Sequence, residues 1–258
     1  MKILDKVVVV TGGASGIGRG LCRRFAAEGP KGIVVSDIDG EGAAKVAEEI
    51  GGLAVTADVS KEADIQNLVR IATRHYGPID LFCSNAGISA RGGAEAPDSV
   101  WQRCWDIHVM AHVYAARAVL PSMIERGSGY LLQTGSAGGL LTTLGAAPYA
   151  VSKHASVAFA EWLSITHAHH GIKVSCLCPF GVRTGMLSEE TEGIGKLILK
   201  TAITPEQCAD YVVAALEKEK FFILPHPEIL DYFRARANHH ERWLRHMRRE
   251  QEQYVTPR

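Results

Sequence analysis

Three side chains in the second half of the sequence could together move a proton. Ser136, Tyr149 and Lys153 lie within eighteen residues of one another, and the tyrosine and lysine are four apart. In a helix that spacing places both side chains on one face. A phenol has an unperturbed pKa of about 10, and a neighbouring ammonium favours the phenolate and lowers that pKa. A tyrosine and a lysine often share a helix by chance, so the pair alone is weak evidence.

A glycine-rich loop near the N-terminus follows the first apolar run. Val7–Val10 predicts a strand buried on both faces, and the loop 11–18 then carries glycines at 12, 13, 16 and 18. Such glycines let the backbone approach a pyrophosphate, which lies on the N-terminus of the next helix. The spacing differs from the G-x-G-x-x-G fingerprint, and glycine turns also serve purely conformational needs. On its own the loop is a moderate signal.

Polar residues end the next apolar strands. Asp37 follows a predicted strand at 32–36 and lies nineteen residues after Gly18, close to the interval expected for an acid that binds the adenosine ribose. A solvated acid at a strand end is the alternative, and the upstream glycine loop favours the ribose. Asp58, Asn85 and Ser136 likewise follow predicted strands.

The elements that must hold these residues alternate between strand and helix. Further strands are predicted at 53–57, 79–84, 130–134, 173–178 and 221–224, and helices at 41–50, 61–76, 99–126, 148–167 and 205–218. This alternation predicts an α/β fold, a doubly wound parallel sheet with helices on both faces. Ligands bind beyond the carboxyl ends of strands in such sheets, where all four strand-end residues fall.

Composition narrows the class of protein. The 28 basic and 28 acidic residues balance to a net charge of zero, which predicts no attraction to nucleic acid or to an acidic membrane. No run approaches 18 apolar residues, so no membrane span or signal peptide is expected. Six scattered cysteines without a CxxC pair predict reduced thiols and a cytoplasmic location. Histidines at 167–170 and 239–240 lack completing ligands, and no metal site is predicted.

The 258 residues predict one domain, 1–258, because no linker or repeat interrupts them. Two segments depart from the strand–helix rhythm. The apolar, glycine-containing stretch 185–203 is interpreted as a substrate flap, with a surface helix pair as the alternative. An extra C-terminal helix is predicted at 228–250 from apolar residues that advance by threes and fours, and it would pack on the domain or on a sister subunit.

Taken together, these motifs resemble the short-chain dehydrogenase/reductase family. The resemblance rests on Thr11–Gly18, on Asn85-Ala86-Gly87, on Ser136 and on Tyr149-x-x-x-Lys153, and it spans residues 6–224. It implies a single-domain, Rossmann-like fold and a small-molecule substrate. It also implies that Tyr149 is the general acid/base, that Lys153 lowers the tyrosine pKa and holds the nicotinamide ribose, and that Ser136 hydrogen-bonds the substrate oxygen.

The resemblance also implies a set of cofactor-binding residues. Besides Tyr149 and Lys153, they are Gly12, Ser15, Gly16, Ile17, Gly18, Asp37, Asp58, Val59, Asn85, Ala86, Gly87, Pro179, Val182 and Thr184. Relatives that prefer the phosphorylated cofactor usually carry a basic residue where this chain has Ser15 or the Asp37-Ile38 pair. Since the Asp37 carboxylate opposes a 2′-phosphate, NAD is the predicted cofactor.

Two positions differ from the family pattern. His108 stands where many relatives place an asparagine that supports a water relay to the lysine. Imidazole can both donate and accept a hydrogen bond, so His108 either preserves that relay as a fourth catalytic residue or is only a packed, satisfied histidine. Phe180 stands where glycine is usual after the sixth strand, which predicts a changed backbone or pocket wall.

The leading functional prediction is an NAD-dependent alcohol dehydrogenase or ketone reductase. Its predicted substrate is a hydrophobic or aromatic secondary alcohol, because the candidate pocket residues are apolar: Ile88, Trp105, Leu140, Leu141, Leu144, Phe180, Met186 and Leu187. The alternative is a catalytically impaired NAD-binding regulatory or scaffold protein, and a redox epimerase or dehydratase ranks last. The family resemblance implies a homodimer or homotetramer.

Overall fold

The computed structural model describes residues 1–187 and 194–255 and contains one seven-stranded sheet. The strands are β1 (Val7–Thr11), β2 (Gly32–Asp37), β3 (Leu53–Thr56), β4 (Leu81–Ser84), β5 (Gly129–Thr134), β6 (Ile172–Leu177) and β7 (Phe222–Ile223). Their order is β3-β2-β1-β4-β5-β6-β7, and all neighbours are parallel. The strand order reverses between β1 and β4, and this switch point is where such sheets open a ligand crevice.

Ten α-helices connect and flank the strands in the described residues. They are α1 (Gly16–Ala26), α2 (Gly40–Ile50), α3 (Glu62–Tyr76), α4 (Asp98–Trp105), α5 (Ala111–Glu125), α6 (Ala147–His167), α7 (Ile194–Lys200), α8 (Pro205–Glu217), α9 (Glu228–Asn238) and α10 (His240–Tyr254). The predicted doubly wound α/β fold is therefore confirmed.

Alternation along β1 shows why the sheet is covered on both faces. Val7 and Val9 face one apolar core, formed with α3, α5 and α6, whereas Val8 and Val10 face a second core, formed with α1, α2 and α8. A strand buried on both sides must be apolar at every position, which is what the first strand of the sequence predicted. The six cysteines are buried free thiols, as predicted.

The C-terminal prediction needs a correction. A single helix was predicted at 228–250, but α9 ends at Asn238 and α10 begins at His240. His239 lies between them with φ −137° and ψ 52°, outside the helical region. The apolar spacing continues across this break, which is why the sequence indicated one helix. Of the predicted flap 185–203, residues 188–193 lie outside the described residues, and α7 occupies much of the rest.

The predicted helix at 99–126 is also not uniform. Between α4 and α5, Asp106–Met110 forms a π-helical turn in which the Ala111 amide bonds the Asp106 carbonyl, five residues back. The whole helical run Asp98–Glu125 is long and apolar enough to cross a membrane. However, 44% of its most apolar window is buried within the protein, and Ala115, Val119 and Met123 of this run pack into the apolar core.

Candidate active site

The serine and the tyrosine meet where β5 and α6 face each other. α6 begins at Ala147 with Pro148 in its first turn, a position that suits proline because its missing N–H would be unpaired there anyway. This start brings the Tyr149 phenol next to the Ser136 side chain, close enough for the serine hydroxyl to lower the pKa of the phenol. The Ser136 oxygen also accepts from the Gly138 amide at 3.0 Å, which fixes its direction. A substrate oxygen placed here would meet both hydroxyl groups.

Lys153 lies one helical turn further along α6 and is buried beneath the tyrosine. Its ammonium donates to the Thr134 carbonyl at the end of β5, with 3.0 Å between Nζ and oxygen, and Nζ lies 5.8 Å from the centre of the Tyr149 ring. Burial lowers the pKa of Lys153 to about 8, because a buried ammonium loses its hydration. The lysine is therefore close enough to act on the phenol by charge.

The pKa of the phenol differs from the sequence-based expectation. Burial raises the pKa of Tyr149, and the hydrogen bond from Ser136 only partly opposes that rise. Lys153 was expected to lower this pKa, but its ammonium is directed to the Thr134 carbonyl. In this arrangement Tyr149 is a protonated phenol, ready to donate, and a carbonyl substrate is the partner that a donor suits.

His108 lies at the centre of the π-helical turn and is fully buried. Its Nδ1 lies 2.9 Å from the Ser152 hydroxyl, and its Nε2 lies 3.1 Å from both the amide nitrogen and the carbonyl oxygen of Ile88. In either tautomer both ring nitrogens have a hydrogen-bond partner. Burial, and then the charge of Lys153, lower the pKa of His108 to about 2, so the ring is neutral.

The glycine loop is shaped by close backbone contacts. A Cβ on Gly18 would lie 2.0 Å from the Gly12 carbonyl oxygen, so no other residue fits there. Gly12 and Gly16 have φ of 67° and 50°, a region that glycine adopts readily. Ser15 is the N-cap of α1, and Ile17 is in its first turn, which contains no acidic residue. The helix start therefore offers amide groups and a positive dipole end to an anion.

A cleft of ≈ 400 Å³ opens beside this loop. It is lined by Ser15, Gly16, Arg19, Arg183, Thr184, Gly185, Leu187, Leu199 and Pro205. Two arginines and a helix N-terminus on one cleft suit a pyrophosphate, so the residues present fit a dinucleotide. Thr184 faces Gly16 across the cleft, since a Cβ on the glycine would lie 3.0 Å from the threonine Cγ2.

Asp37 and Asp58 end neighbouring strands but have different surroundings. One Asp37 oxygen accepts from the Ala14 amide at 3.0 Å and so ties β2 to the glycine loop. Asp58 accepts from the Ser60 amide and hydroxyl at 3.1 and 2.7 Å. Partial burial would raise the pKa of Asp58, but these bonds and Lys61 outweigh it and lower the pKa. The Val59 side chain is buried in the core.

Asn85 joins three strand ends at the switch point. Its side chain donates to the Thr11 carbonyl at 3.0 Å and accepts from the Thr134 hydroxyl at 3.1 Å. The amides of Asn85 and Ala86 both donate to the Thr11 hydroxyl. A Cβ on Gly87 would lie 3.6 Å from His108 Nε2 and 3.7 Å from Lys153 Nζ. This segment therefore lies directly against the candidate catalytic groups.

The segment after β6 also lies at the carboxyl ends of the strands. The Pro179 carbonyl accepts from the Ala137 amide at 2.9 Å, and Val182 is buried. The Phe180 amide donates to His226 Nδ1 at 3.3 Å, and the two rings meet edge to face. The next residue, Gly181, lies against α7, since a Cβ there would lie 2.8 Å from the Ile198 Cγ2.

Large apolar side chains remain exposed around the rim. Trp105, Phe180 and Met186 are 42%, 40% and 54% exposed, which is high for residues of this size and favours an apolar ligand. Leu140, by contrast, is buried in the core, so its side chain does not line the candidate pocket as the sequence analysis expected.

Sequence reasoning missed several supporting residues. Thr11, Thr134 and Ser152 hold Asn85, Lys153 and His108 in place. Thr11 could have been suspected, because it is the first polar residue after the β1 valines. The other two contact their partners only in the folded chain, where α6 meets the end of β5 and the π-helical turn.

The sequence model of the short chain dehydrogenase family matches residues 6–195. The chain belongs to this family. It is 35% identical over 234 residues to 1-deoxy-11-beta-hydroxypentalenate dehydrogenase of Streptomyces exfoliatus, across 86% of this chain and 84% of that protein. It is 30% identical over 232 residues to epidermal retinol dehydrogenase 2 of Homo sapiens, across 86% and 74% respectively.

A solved structure supports the same assignment. A short chain dehydrogenase/reductase from Burkholderia phymatum, in complex with NAD, superposes with a TM-score of 0.84 at 26% identity. The superposition covers 93% of this chain and 96% of that one. The likeness therefore extends beyond residue 195 into the C-terminal part of the chain.

Proposed function

We propose that this protein is an NAD-dependent oxidoreductase that interconverts a secondary alcohol and a ketone, with a hydrophobic or aromatic substrate. The observation that carries the proposal is the contact between the Tyr149 phenol and the Ser136 hydroxyl above the buried Lys153. The named relatives that act on hydroxypentalenate and retinol support the alcohol class.

The three residues divide the chemistry. NAD, when bound, would supply the hydride transfer to and from the substrate carbon, which protein side chains cannot. Tyr149 gives its proton to the carbonyl oxygen during reduction and, as the phenolate, takes the hydroxyl proton during oxidation, while Ser136 stabilises charge on the substrate oxygen. Lys153 favours the phenolate by its positive charge once the tyrosine has given up its proton.

NAD is proposed over NADP because of Asp37. Its carboxylate lies at the carboxyl end of β2 and is aimed at the glycine loop by its bond to the Ala14 amide. In that position it accepts hydrogen bonds from ribose hydroxyls and repels a 2′-phosphate. The NAD bound to the Burkholderia phymatum relative supports the same choice.

The Ser136–Tyr149 contact favours turnover over the alternative of an impaired NAD-binding scaffold protein. The test is a panel of secondary alcohols and ketones, assayed with NAD and NADP side by side through the absorbance of the reduced cofactor. Turnover with NAD on apolar substrates supports the proposal. Tight NAD binding without turnover on the whole panel would favour the scaffold alternative.

A homodimer or homotetramer is proposed as well. Val151, Trp162 and Ile165 on α6 are 50%, 54% and 79% exposed, and an exposed apolar helix face favours contact with a second copy. Light scattering of the purified protein checks this proposal. A monomer at micromolar concentration would contradict it.

A further inference from the structure

The loop that joins Ser136 to Tyr149 is held at both ends by the C-terminal helices. Near its start, Arg236 of α9 donates to the Leu140 carbonyl. Near its end, Val255 packs against Gly145, such that a Cβ on the glycine would lie 3.0 Å from the valine Cγ1. The two contacts lie four residues after the serine and four residues before the tyrosine. Helices that follow the last strand thus reach the segment between two catalytic groups.

Arg236 anchors this arrangement through three partners. Besides the Leu140 carbonyl, its guanidinium donates to His154 Nε2 at 3.1 Å. That nitrogen is the acceptor, because Nδ1 of the same ring donates to the Ala150 carbonyl at 2.8 Å. The guanidinium also lies 5.0 Å from the Trp243 ring of α10. One side chain therefore joins α9, α10, α6 and the loop, which a planar guanidinium with five donors can do.

Gly145 also bonds to the loop that follows β4. The Gly92 amide donates to the Gly145 carbonyl at 2.9 Å, and the Ala147 amide donates to the Gly92 carbonyl at 2.8 Å. Three segments therefore meet here: the loop after β4, the loop before Tyr149 and the end of α10. Since glycine has no side chain, the methyl groups of the partly exposed Val255 supply the apolar surface at this place.

We propose that Val255, presented by α10 and fixed by Arg236, is a specificity-determining wall of the substrate pocket. It limits the bulk of the apolar substituent that points away from the reacting carbon. The inference rests on the proposed alcohol dehydrogenase function. The proposed wall changes none of Ser136, Tyr149 and Lys153. It therefore determines which alcohol binds and leaves the proton transfer unchanged.

The kinetic test compares a bulky cyclic secondary alcohol with 2-butanol at saturating NAD. Val255→Phe is expected to lower the ratio of their kcat/KM values at least fivefold, and Val255→Ala to raise it at least threefold. The Kd for NAD should stay within twofold in both variants. Glu252→Ala, an exposed change on the same helix, is the matched control and should leave the ratio unchanged. Ratios within twofold of the unmodified protein in both Val255 variants would overturn the inference.

A second readout does not depend on turnover. Hydrogen exchange of the amides at 140–146 should be several-fold faster in Arg236→Ala than in the unmodified protein. The control, Arg234→Ala, removes only an exposed arginine that lies 3.7 Å from Asp231, and should leave exchange unchanged. If the unmodified protein oxidises no alcohol, the proposed function fails. Faster exchange in Arg236→Ala, with no change in Arg234→Ala, would still support the contact of the C-terminal helices with the loop. Equal exchange in both variants would overturn it.

Discussion

The His108 Nδ1 lies 2.9 Å from the hydroxyl of Ser152, three residues after Tyr149 on the same helix. Its other nitrogen lies 3.1 Å from the Ile88 backbone, so the buried ring joins the π-helical turn, α6 and the loop after β4. π-helical turns occur often at functional sites. Because both ring nitrogens are engaged and the ring is neutral, we expect His108 to position Tyr149 rather than to carry protons.

Substitution of His108 separates positioning from proton relay. His108→Leu leaves the Ile88 backbone without its partner, and we expect a loss of roughly 1–3 kcal/mol in the free energy of unfolding and a fall in kcat. His108→Asn keeps a polar side chain and should lose less of both. The pH profile of kcat/KM should keep its shape in His108→Asn. A displaced profile would instead assign His108 to the relay.

A second buried histidine predicts acid sensitivity. Burial lowers the pKa of His112 to about 3 and that of His108 to about 2, both from 6.5. At pH values between these pKa values and 6.5, the unfolded chain binds protons that the folded chain does not. The free energy of unfolding therefore falls as the pH falls through this window. Each histidine contributes about 1.4 kcal/mol per pH unit.

His112→Leu should therefore remove about one proton from the pH dependence of unfolding between pH 6 and 4. The variant should be more stable than the unmodified protein at pH 5, as measured by urea denaturation. His169→Leu, at an exposed position, is the control. An unchanged slope in His112→Leu would show that His112 takes up a proton in the folded state.

Asp37 should control the choice of cofactor. In Asp37→Asn the amide oxygen can still accept from Ala14, but the charge that repels a 2′-phosphate is gone. We expect the ratio of kcat/KM for NADP to that for NAD to rise at least tenfold. Asp39→Asn is the matched control, since its side chain caps α2 by accepting from Gly42 at 3.0 Å. A ratio that moved equally in both variants would contradict the role of Asp37.

The fold was predictable because its signals are local. The β1 valines indicate a strand buried on both faces, and Asp37, Asn85 and Ser136 mark strand ends by a change from apolar to polar. The break at His239 was not predictable, because no glycine or proline marks it and the apolar spacing continues from Leu230 to Met247. The break brings Trp243 next to Arg236, a contact that only the folded chain shows.

The sequence predicted which residues form the candidate site better than it predicted the pKa of Tyr149. Spacing placed Tyr149 and Lys153 on one helix face, and the structure confirms that placement. Whether the pKa of Tyr149 rises or falls depends on how deeply the ring is buried and on which acceptor the lysine finds. Both depend on where α6 lies relative to the end of β5. Its position against the π-helical turn determines the contact of His108 with Ser152.

The central claim is that Tyr149 transfers the proton, and one measurement tests it directly. Turnover of the best alcohol at saturating NAD is compared between the unmodified protein and Tyr149→Phe, with NADH affinity measured by fluorescence as the check on the cofactor site. We expect kcat to fall by about 10²–10⁴ while the Kd for NADH stays within twofold. A Tyr149→Phe variant that keeps at least a third of its turnover would contradict the account.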